Sequence, residues 1–467
     1  MYKLNFDKTC RIHFIGIGGI SMSGFAEFLN NKGFEISGSD TQQTDVTNRL
    51  QELGIKVYYG QNPSNITDDI DLIIYTAAIK KNNPEFLEGK RRNIPYLNRA
   101  QLIGQIMKNY SNSIAVAGTH GKTTATSMLA QIFMEGKADP TVSVGGILDS
   151  IGGNMRIGQS ENFITEACEY TNSFLDFNPK KSIILNIGAD HLDFFKDLDD
   201  IRNSFHMFAK LLPDDGQLYI NGEIENYQEI IEGLNCKVVT YGIIDSNYRV
   251  KNEIYDIAAD KITFDNLESN TFDLYLKGQF VDRINLKALG VYNISNCLPT
   301  IGLALEAGIP LKTIKQALAN FKNSKRRFEY KGKVGGVSIV DDYAHHPTEI
   351  AATLNAAHVF DYNTVWCIFQ PHTYTRTKNH LKDFAKSLSL ADKIVLTDIY
   401  AARESDPGDI SSKDLVRELE CLGKEVYHFS SFNDIEIFLL QNCINGDLLI
   451  TMGAGDIVKV GDSLLGQ

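Results

Sequence analysis

Between Ser113 and Phe133 the chain reads SIAVAGTHGKTTATSMLAQIF, and these are residue types that can hold a polyphosphate. Ile114 to Ala117 form an apolar run with the character of a buried strand, and a helical pattern follows a short glycine loop. Gly118 and Gly121, with Thr119 and His120 between them, let the backbone come close to phosphate oxygens. Amides at a helix start point at such a ligand. Lys122 adds a point charge for the outer phosphates, Thr123 offers a hydroxyl to Mg²⁺, and Thr124 completes the run. The strict phosphate-loop pattern would have glycine at Val116, so the match is to a shorter variant, G-T-x-G-K-T-T. The bland alternative is a chance glycine turn with a solvated lysine. A strand before and a helix after favour nucleotide binding.

Other constellations sit at the ends of apolar runs. The stretch G-I-G-G-I-S-M-S-G contains Gly16, Gly18 and Gly19, with Ser21 where a dinucleotide fingerprint has its third glycine and Ser23 just beyond. It supports a diphosphate at a helix N-terminus and does not identify NAD. Asp40, ending the next run, is either a ribose-contacting acid or a turn residue. Glu166 ends FITEA, with Glu169 close behind, and such a carboxylate is either a Mg²⁺ ligand or half of a surface ion pair. Asn186 and the run Asp190-His191-Leu192-Asp193 follow the next strand and suggest a second metal or phosphate site. Asn293 and Asn296 are either helix caps or amides for a purine. Arg326 and Arg327 are either a solvated pair or the source of one phosphate-directed guanidinium. VDDYAHHPTEI brings Asp341, Asp342, Tyr343, His345 and His346, and IFQPHTYTRT brings His372, Tyr374 and Arg376. Both lie at carboxyl ends of strands, where open α/β sheets bind ligands.

The elements that position these groups alternate. Strands and helices follow one another to about Tyr110, which implies a parallel sheet, and the polar stretch Lys108–Ser113 reads as a linker. The second segment opens with the phosphate loop. From Gln217 to Leu286 it turns to short β-like runs, read as an antiparallel addition. The run Asn323–Arg327 is a second boundary, and α/β alternation resumes after it. At 467 residues, with roughly 150 residues per domain, three domains are expected. The fold class is therefore α/β: an N-terminal Rossmann-like unit, a central P-loop ATPase-type unit with an antiparallel addition, and a C-terminal Rossmann-like unit. A net charge of −12 argues against nucleic-acid binding. No apolar run is long enough to insert in a membrane, and no signal peptide is read. Seven scattered cysteines without a C-x-x-C pair favour reduced thiols in the cytoplasm over a disulfide frame or zinc site.

Eight motifs together resemble the Mur ligase family along essentially the whole chain: IGIGGISMSGFAEFL, SGSD, AAIKKNNPE, AGTHGKTT, EACEY, NIGADHLDFF, DDYAHHPTE and QPHTYTRT. The resemblance implies a UDP-substrate domain at 1–110, an ATP domain at 111–324 and an amino-acid domain at 325–467. The first motif and the HHPTE run point to the branch that joins L-alanine to the lactyl carboxylate of UDP-N-acetylmuramate, an ATP-dependent step of peptidoglycan precursor synthesis. A muropeptide-recycling branch shares AGTHGKTT but usually departs in the first glycine loop. The resemblance makes Lys122 a β/γ-phosphate contact, Thr123 and Glu166 ligands of one Mg²⁺, and His191 a ligand of a second. It puts Asn293 and Asn296 on adenine and makes Arg327 and Asp342 the pair that closes over ATP. Gly16, Gly18, Gly19, Ser21, Ser23 and Asp40 fall to the UDP substrate. Tyr343, His345, His372 and Arg376 fall to alanine and the muramyl carboxylate. Tyr292 and Thr373 depart from the usual histidine and arginine, and His206 stands near where relatives carry a carbamylated lysine, so no carbamylation is expected. The expected form is a monomer or weak homodimer. Two other classes, a non-catalytic nucleotide-binding protein and an NAD-dependent dehydrogenase, would show no ADP release that needs both a UDP-sugar and an amino acid.

Overall fold

The computed structural model describes residues 2–76, 79–80, 82–192, 194–245, 254–266, 269–321, 325–402 and 404–467. Ala77, Ala78 and Lys81 of the AAIKKNNPE motif, Asp193, and the boundary residues Asn323 and Ser324 lie outside them.

Three sheets follow one another along the chain. The first runs in the order Lys56–Tyr59, Glu35–Asp40, Arg11–Ile15, Leu72–Tyr75, Tyr96–Asn98, all parallel. The chain builds outward in both directions from Arg11–Ile15. That reversal opens a crevice at the carboxyl end of this strand, where the Gly16–Gly19 turn leaves it. Gly16 takes φ +81° there, a conformation that favours glycine. The helix Ile20–Asn31 then packs Phe25, Phe28 and Leu29 onto the sheet.

Among the described residues the central sheet has ten strands. Its parallel body runs Ile257–Asn266, Lys237–Ile243, Gln217–Asn221, Lys181–Ile184, Asn112–Ala117, Asn162–Ala167, Thr141–Leu148. Hairpins close both ends: Gly153–Arg156 at one, Ser269–Leu276 and Gln279–Leu286 at the other. The antiparallel addition thus exists but starts later than expected. Gln217–Asn221 and Lys237–Ile243 extend the sheet in parallel. The helix between them, Tyr227–Ile231, spans 5 residues, too short to leave a periodic signal.

The third sheet runs Glu329–Val334, Val337–Asp342, Leu448–Met452, Val365–Phe369, Lys393–Leu396, Val426–His428, with only the first pair antiparallel. One edge strand, Val426–His428, spans 3 residues, and the other, Glu329–Val334, reads EYKGKV, rich in polar residues, which hides both in the sequence.

The first and central units share one apolar cluster. The Tyr110 ring lies 5.2 Å from Phe163, and its hydroxyl donates to Thr141 Oγ1 at 3.0 Å. Phe174, Phe205 and Phe208 are fully buried beside them, each worth about 2–3 kcal/mol of burial. The Lys108–Ser113 connection is therefore a packed joint.

Candidate active site

The phosphate loop hangs between Asn112–Ala117 and the helix Lys122–Glu135. Gly118 and Gly121 take φ of +149° and +84°. A Cβ at Gly121 would come within 2.7 Å of Asn296, so the loop is pressed onto the helix Val291–Glu306. No side chain caps Lys122–Glu135, which leaves its first turn to an anion. Asn186 grips the loop from the next strand: it accepts from His120 N at 2.8 Å and donates to His120 O at 2.9 Å. This amide is spent on loop shape, so Asn186 acts on a phosphate only through His120.

Lys122 is folded onto its own loop. Its Nζ donates to Thr119 O at 3.0 Å and pairs with Glu169 Oε2 at 2.9 Å. Burial opposes its charge, yet Glu169, Cys168 and Glu166 together outweigh burial and raise its pKa. Glu166 accepts from Gly145 N at 2.7 Å and from the Thr123 hydroxyl. Burial raises its pKa, against the opposing pull of Gly145, Thr123, Lys122 and Arg327. His191, at φ +55°, stands with Nε2 4.0 Å from Glu169 and 3.9 Å from Asp190, its ring 4.5 Å from Tyr170. Glu169 thus pairs with Lys122 on one side and approaches His191 on the other, while Glu166 holds Thr123 beside them. Among the described residues no group of three or more His, Cys, Asp or Glu could by itself hold a metal ion.

Across the cleft the third unit supplies the other wall. Gly121, Thr124, Asn293, Tyr292, Arg327 and Asp342 line one pocket with Glu349. Asn293 donates to Leu289 O at 2.7 Å, which turns its side-chain oxygen toward Asn296. The two adjacent arginines separate cleanly. Arg326 is spent inside the third unit, on Asp341 at 2.9 Å and on the carbonyls of Gly453 and Gly455. Arg327 faces the pocket, 3.9 Å from Glu349. Asp342 accepts from the amides of Phe328 and Ala344, and burial lifts its pKa to about 6.

Further along the same edge, His345 Nδ1 lies 3.0 Å from Tyr343 O, and its ring lies 5.7 Å from His372. Arg376 reaches His372 Nδ1 at 3.2 Å. Burial lowers the pKa of both histidines, His372 to about 4, so both are neutral near pH 7. Thr373, at φ +63°, caps the helix Tyr374–Asn379 through Arg376 N. His206 bonds Ile230 O, on the helix Leu198–Ala209. In the first unit, Asp40 accepts from Gly18 N at 2.8 Å and from Thr41 N at 2.7 Å, so it is at once a loop anchor and a turn residue. Ser21 Oγ accepts from Arg99, and Ser23 Oγ donates to Ile20 O.

Glu349 was missed in the sequence. It accepts from the backbone of His345 and His346 and lies 3.3 Å from His120 Nδ1 in the phosphate loop. Burial opposes its charge, but His120, His345 and Arg327 hold its pKa well below the carboxylate range. HPTE does carry the capping-box spacing, which gives the helix contact but not the cross-cleft one.

Three family models match in chain order: Mur ligase family, catalytic domain, at residues 11–111; Mur ligase middle domain at 116–304; and Mur ligase, glutamate ligase domain, at 326–455. The chain belongs to the Mur ligase family. A UDP-N-acetylmuramate–L-alanine ligase of Lachnoclostridium phytofermentans is 57% identical over 467 residues, all of both chains. One of Agathobacter rectalis is 54% identical over 465 residues, again covering both chains fully. Among solved structures, a UDP-N-acetylmuramate–alanine ligase of Thermotoga maritima superposes with a TM-score of 0.76 at 29% identity, covering 98% of each chain. A murein peptide ligase of Psychrobacter arcticus shares the fold, with a TM-score of 0.65 at 23% identity over 98% of each chain.

Proposed function

We propose that this chain is an ATP-dependent, ADP-forming ligase that joins L-alanine to the lactyl carboxylate of UDP-N-acetylmuramate, in peptidoglycan precursor synthesis. The observation that carries it is the cleft. Gly121 and Thr124 of the phosphate-loop region share a pocket with Arg327, Asp342 and Glu349 of the third unit, in a chain whose full-length relatives bear that enzyme's name. UDP-substrate, ATP and amino-acid domains at 1–110, 111–324 and 325–467 fit the three sheets.

A carboxylate is a poor electrophile, so it must first be activated. The γ-phosphoryl of ATP moves to the lactyl carboxylate, giving an acyl phosphate and ADP. Lys122 would turn from Glu169 to the phosphates and offset charge on the transferring group. The amine of alanine then attacks the acyl carbon, and phosphate leaves from the tetrahedral intermediate. Neutral His345 and His372 flank Arg376, so the guanidinium can take a substrate carboxylate without added repulsion of the incoming amine. Closure of the third unit excludes the water that would hydrolyse the acyl phosphate.

Thr123 and Glu166 fit a Mg²⁺ ion, because both present hard oxygens already in contact beside the phosphate loop. His191, with Glu169 and Asp190 within 4.0 Å, fits the edge of a second. Bound there, Mg²⁺ would neutralise charge on the β- and γ-phosphates.

No described helix is long and apolar enough to cross a membrane, and all seven cysteines are free; a cytoplasmic location and a monomer or weak homodimer remain part of the proposal. The test is ADP release with UDP-N-acetylmuramate and a panel of amino acids. Release that needs both the UDP-sugar and L-alanine supports the reading. Release without either substrate, or none with both, refutes it.

A further inference from the structure

The AAIKKNNPE motif ends in a glutamate that the reaction does not use. Glu85 is the second residue of the helix Pro84–Arg91 and is fully buried. An unpaired carboxylate there would be expensive, so its partners matter. Its Oε2 accepts from Ser39 Oγ at 2.5 Å and lies 3.8 Å from His13 Nε2. Its Oε1 accepts from Asn65 Nδ2 at 2.6 Å and Asn62 N at 3.3 Å. Burial pushes its pKa up, but His13, Ser39 and Asn65 more than offset that and keep it ionised.

These partners converge on one place. Ser39 O accepts from Gly16 N at 2.8 Å and Ile17 N at 3.0 Å, and the carboxylate of the next residue, Asp40, accepts from Gly18 N. Asn65 also donates to Gly60 O at 3.1 Å, and Gly60 N donates to Asp40 O at 2.8 Å. The first glycine loop therefore hangs from residues 39 and 40, and Glu85 grips that pair from both sides, through Ser39 and through Asn65. A hydrophobic residue could fill the same volume, but it could not fix the direction of these donors.

We propose that Glu85 is a positioning residue that presets the Gly16–Gly19 turn, and with it the start of the helix Ile20–Asn31, for the uridine diphosphate of the substrate. It touches neither the loop nor the ligand, and acts through Ser39 and Asn65. The inference rests on the UDP-sugar reading above. The amides of Gly16, Ile17 and Gly18 are spent on residues 39 and 40, so these bonds fix where the uncapped start of the helix Ile20–Asn31 meets a diphosphate, and small displacements there are costly.

The test uses the full-length protein and the variants Glu85→Gln, which keeps size and loses charge, and Asn65→Ala. Steady-state kinetics give KM for UDP-N-acetylmuramate, ATP and L-alanine, and calorimetry gives the Kd for the UDP-sugar. Glu85→Gln should raise the UDP-sugar KM and Kd about tenfold, with kcat and the ATP KM within about twofold of the parent, since a tenfold change corresponds to one charge-assisted hydrogen bond. Asn65→Ala should move the same constants by less. An unchanged UDP-sugar KM, or an equal rise in the ATP KM, overturns the inference. If Glu85→Gln does not fold, Asn65→Ala decides by the same criterion. A parent that neither binds nor turns over the UDP-sugar overturns the proposed function and this inference with it; a working parent with unaltered variants overturns the inference alone.

Discussion

Replacing Lys122 by alanine does two separable things. It removes the charge that would face the transferring phosphoryl, worth about 3 kcal/mol. That corresponds to about 150-fold in kcat. It also strands Glu169, whose side chain is 3% exposed and whose ion pair with Lys122 spans 2.9 Å. Breaking a buried pair costs about 3–5 kcal/mol. The lower end applies because His191 remains 4.0 Å away. A loss of about 3 kcal/mol in a domain of this size lowers the melting midpoint by roughly 6–12 °C. The loop motif alone predicts an inactive protein with an intact fold, whereas the buried Glu169 predicts a softened one. The double variant Lys122→Ala/Glu169→Gln separates the effects. It should regain most of the midpoint and stay at least about 100-fold down in kcat. ADP release at saturating ATP and thermal melts read both. Near-normal turnover in Lys122→Ala refutes the phosphoryl contact. An unshifted midpoint in the single variant, or no recovery in the double, refutes the ion-pair reasoning.

Glu166→Gln and His191→Ala should each raise the Mg²⁺ needed for half-maximal rate by roughly tenfold or more; titrations that overlay the parent would end the two-ion reading. Without alanine, the parent should scramble oxygen-18 from the β–γ bridge of ATP when UDP-N-acetylmuramate is present, because the residues proposed for ATP do not include His345 or Arg376. Arg376→Ala should impair ligation more than scrambling, and no scrambling in an enzyme that ligates would count against a free-standing acyl phosphate. Asp342 should set the acid limb of ATP use. Burial raises its pKa to about 6, against Arg327 and the amides of Ala344 and Phe328. Between its ordinary value near 3.8 and about 6, the folded chain holds a proton that the unfolded chain releases. This group's stabilising contribution is therefore full below that window and is lost as pH rises through about 6, while the charge that pairs with Arg327 appears. The ATP KM should climb below about pH 6, and Asp342→Asn should show a high, pH-flat KM; a variant that keeps the acid limb refutes the assignment.

The parts of this site that were legible in the sequence are those whose geometry is local. Gly118, Gly121, Lys122 and Thr123 lie in one loop, and backbone conformation dictates their spacing. Strand-end clusters were legible for the same reason, since alternation of strands and helices already fixes which ends gather. What the sequence hid depends on contacts between distant elements. Arg326 and Arg327 are neighbours with the same chemistry. Only the docking of Gly453 and Gly455, more than 120 positions away, draws Arg326 inward at φ +64° and leaves Arg327 to the pocket. Asn186 looked like a ligand because its partner, His120, lies 66 positions back. Glu349 went unnoticed because its local bonds make only a helix cap, and its contact with the His120 ring exists only where the central and third units meet. The parallel pairing of Gln217–Asn221 was hidden by a crossover helix too short to show its period. The hidden contacts share a consequence. Glu349 touches the phosphate loop, Arg327 and His345 at once, so the charge state of the loop and the placement of the third unit are one equilibrium. Anything that draws Arg327 or His120 toward a phosphate must take it from Glu349, and the cleft geometry then depends on whether nucleotide is bound.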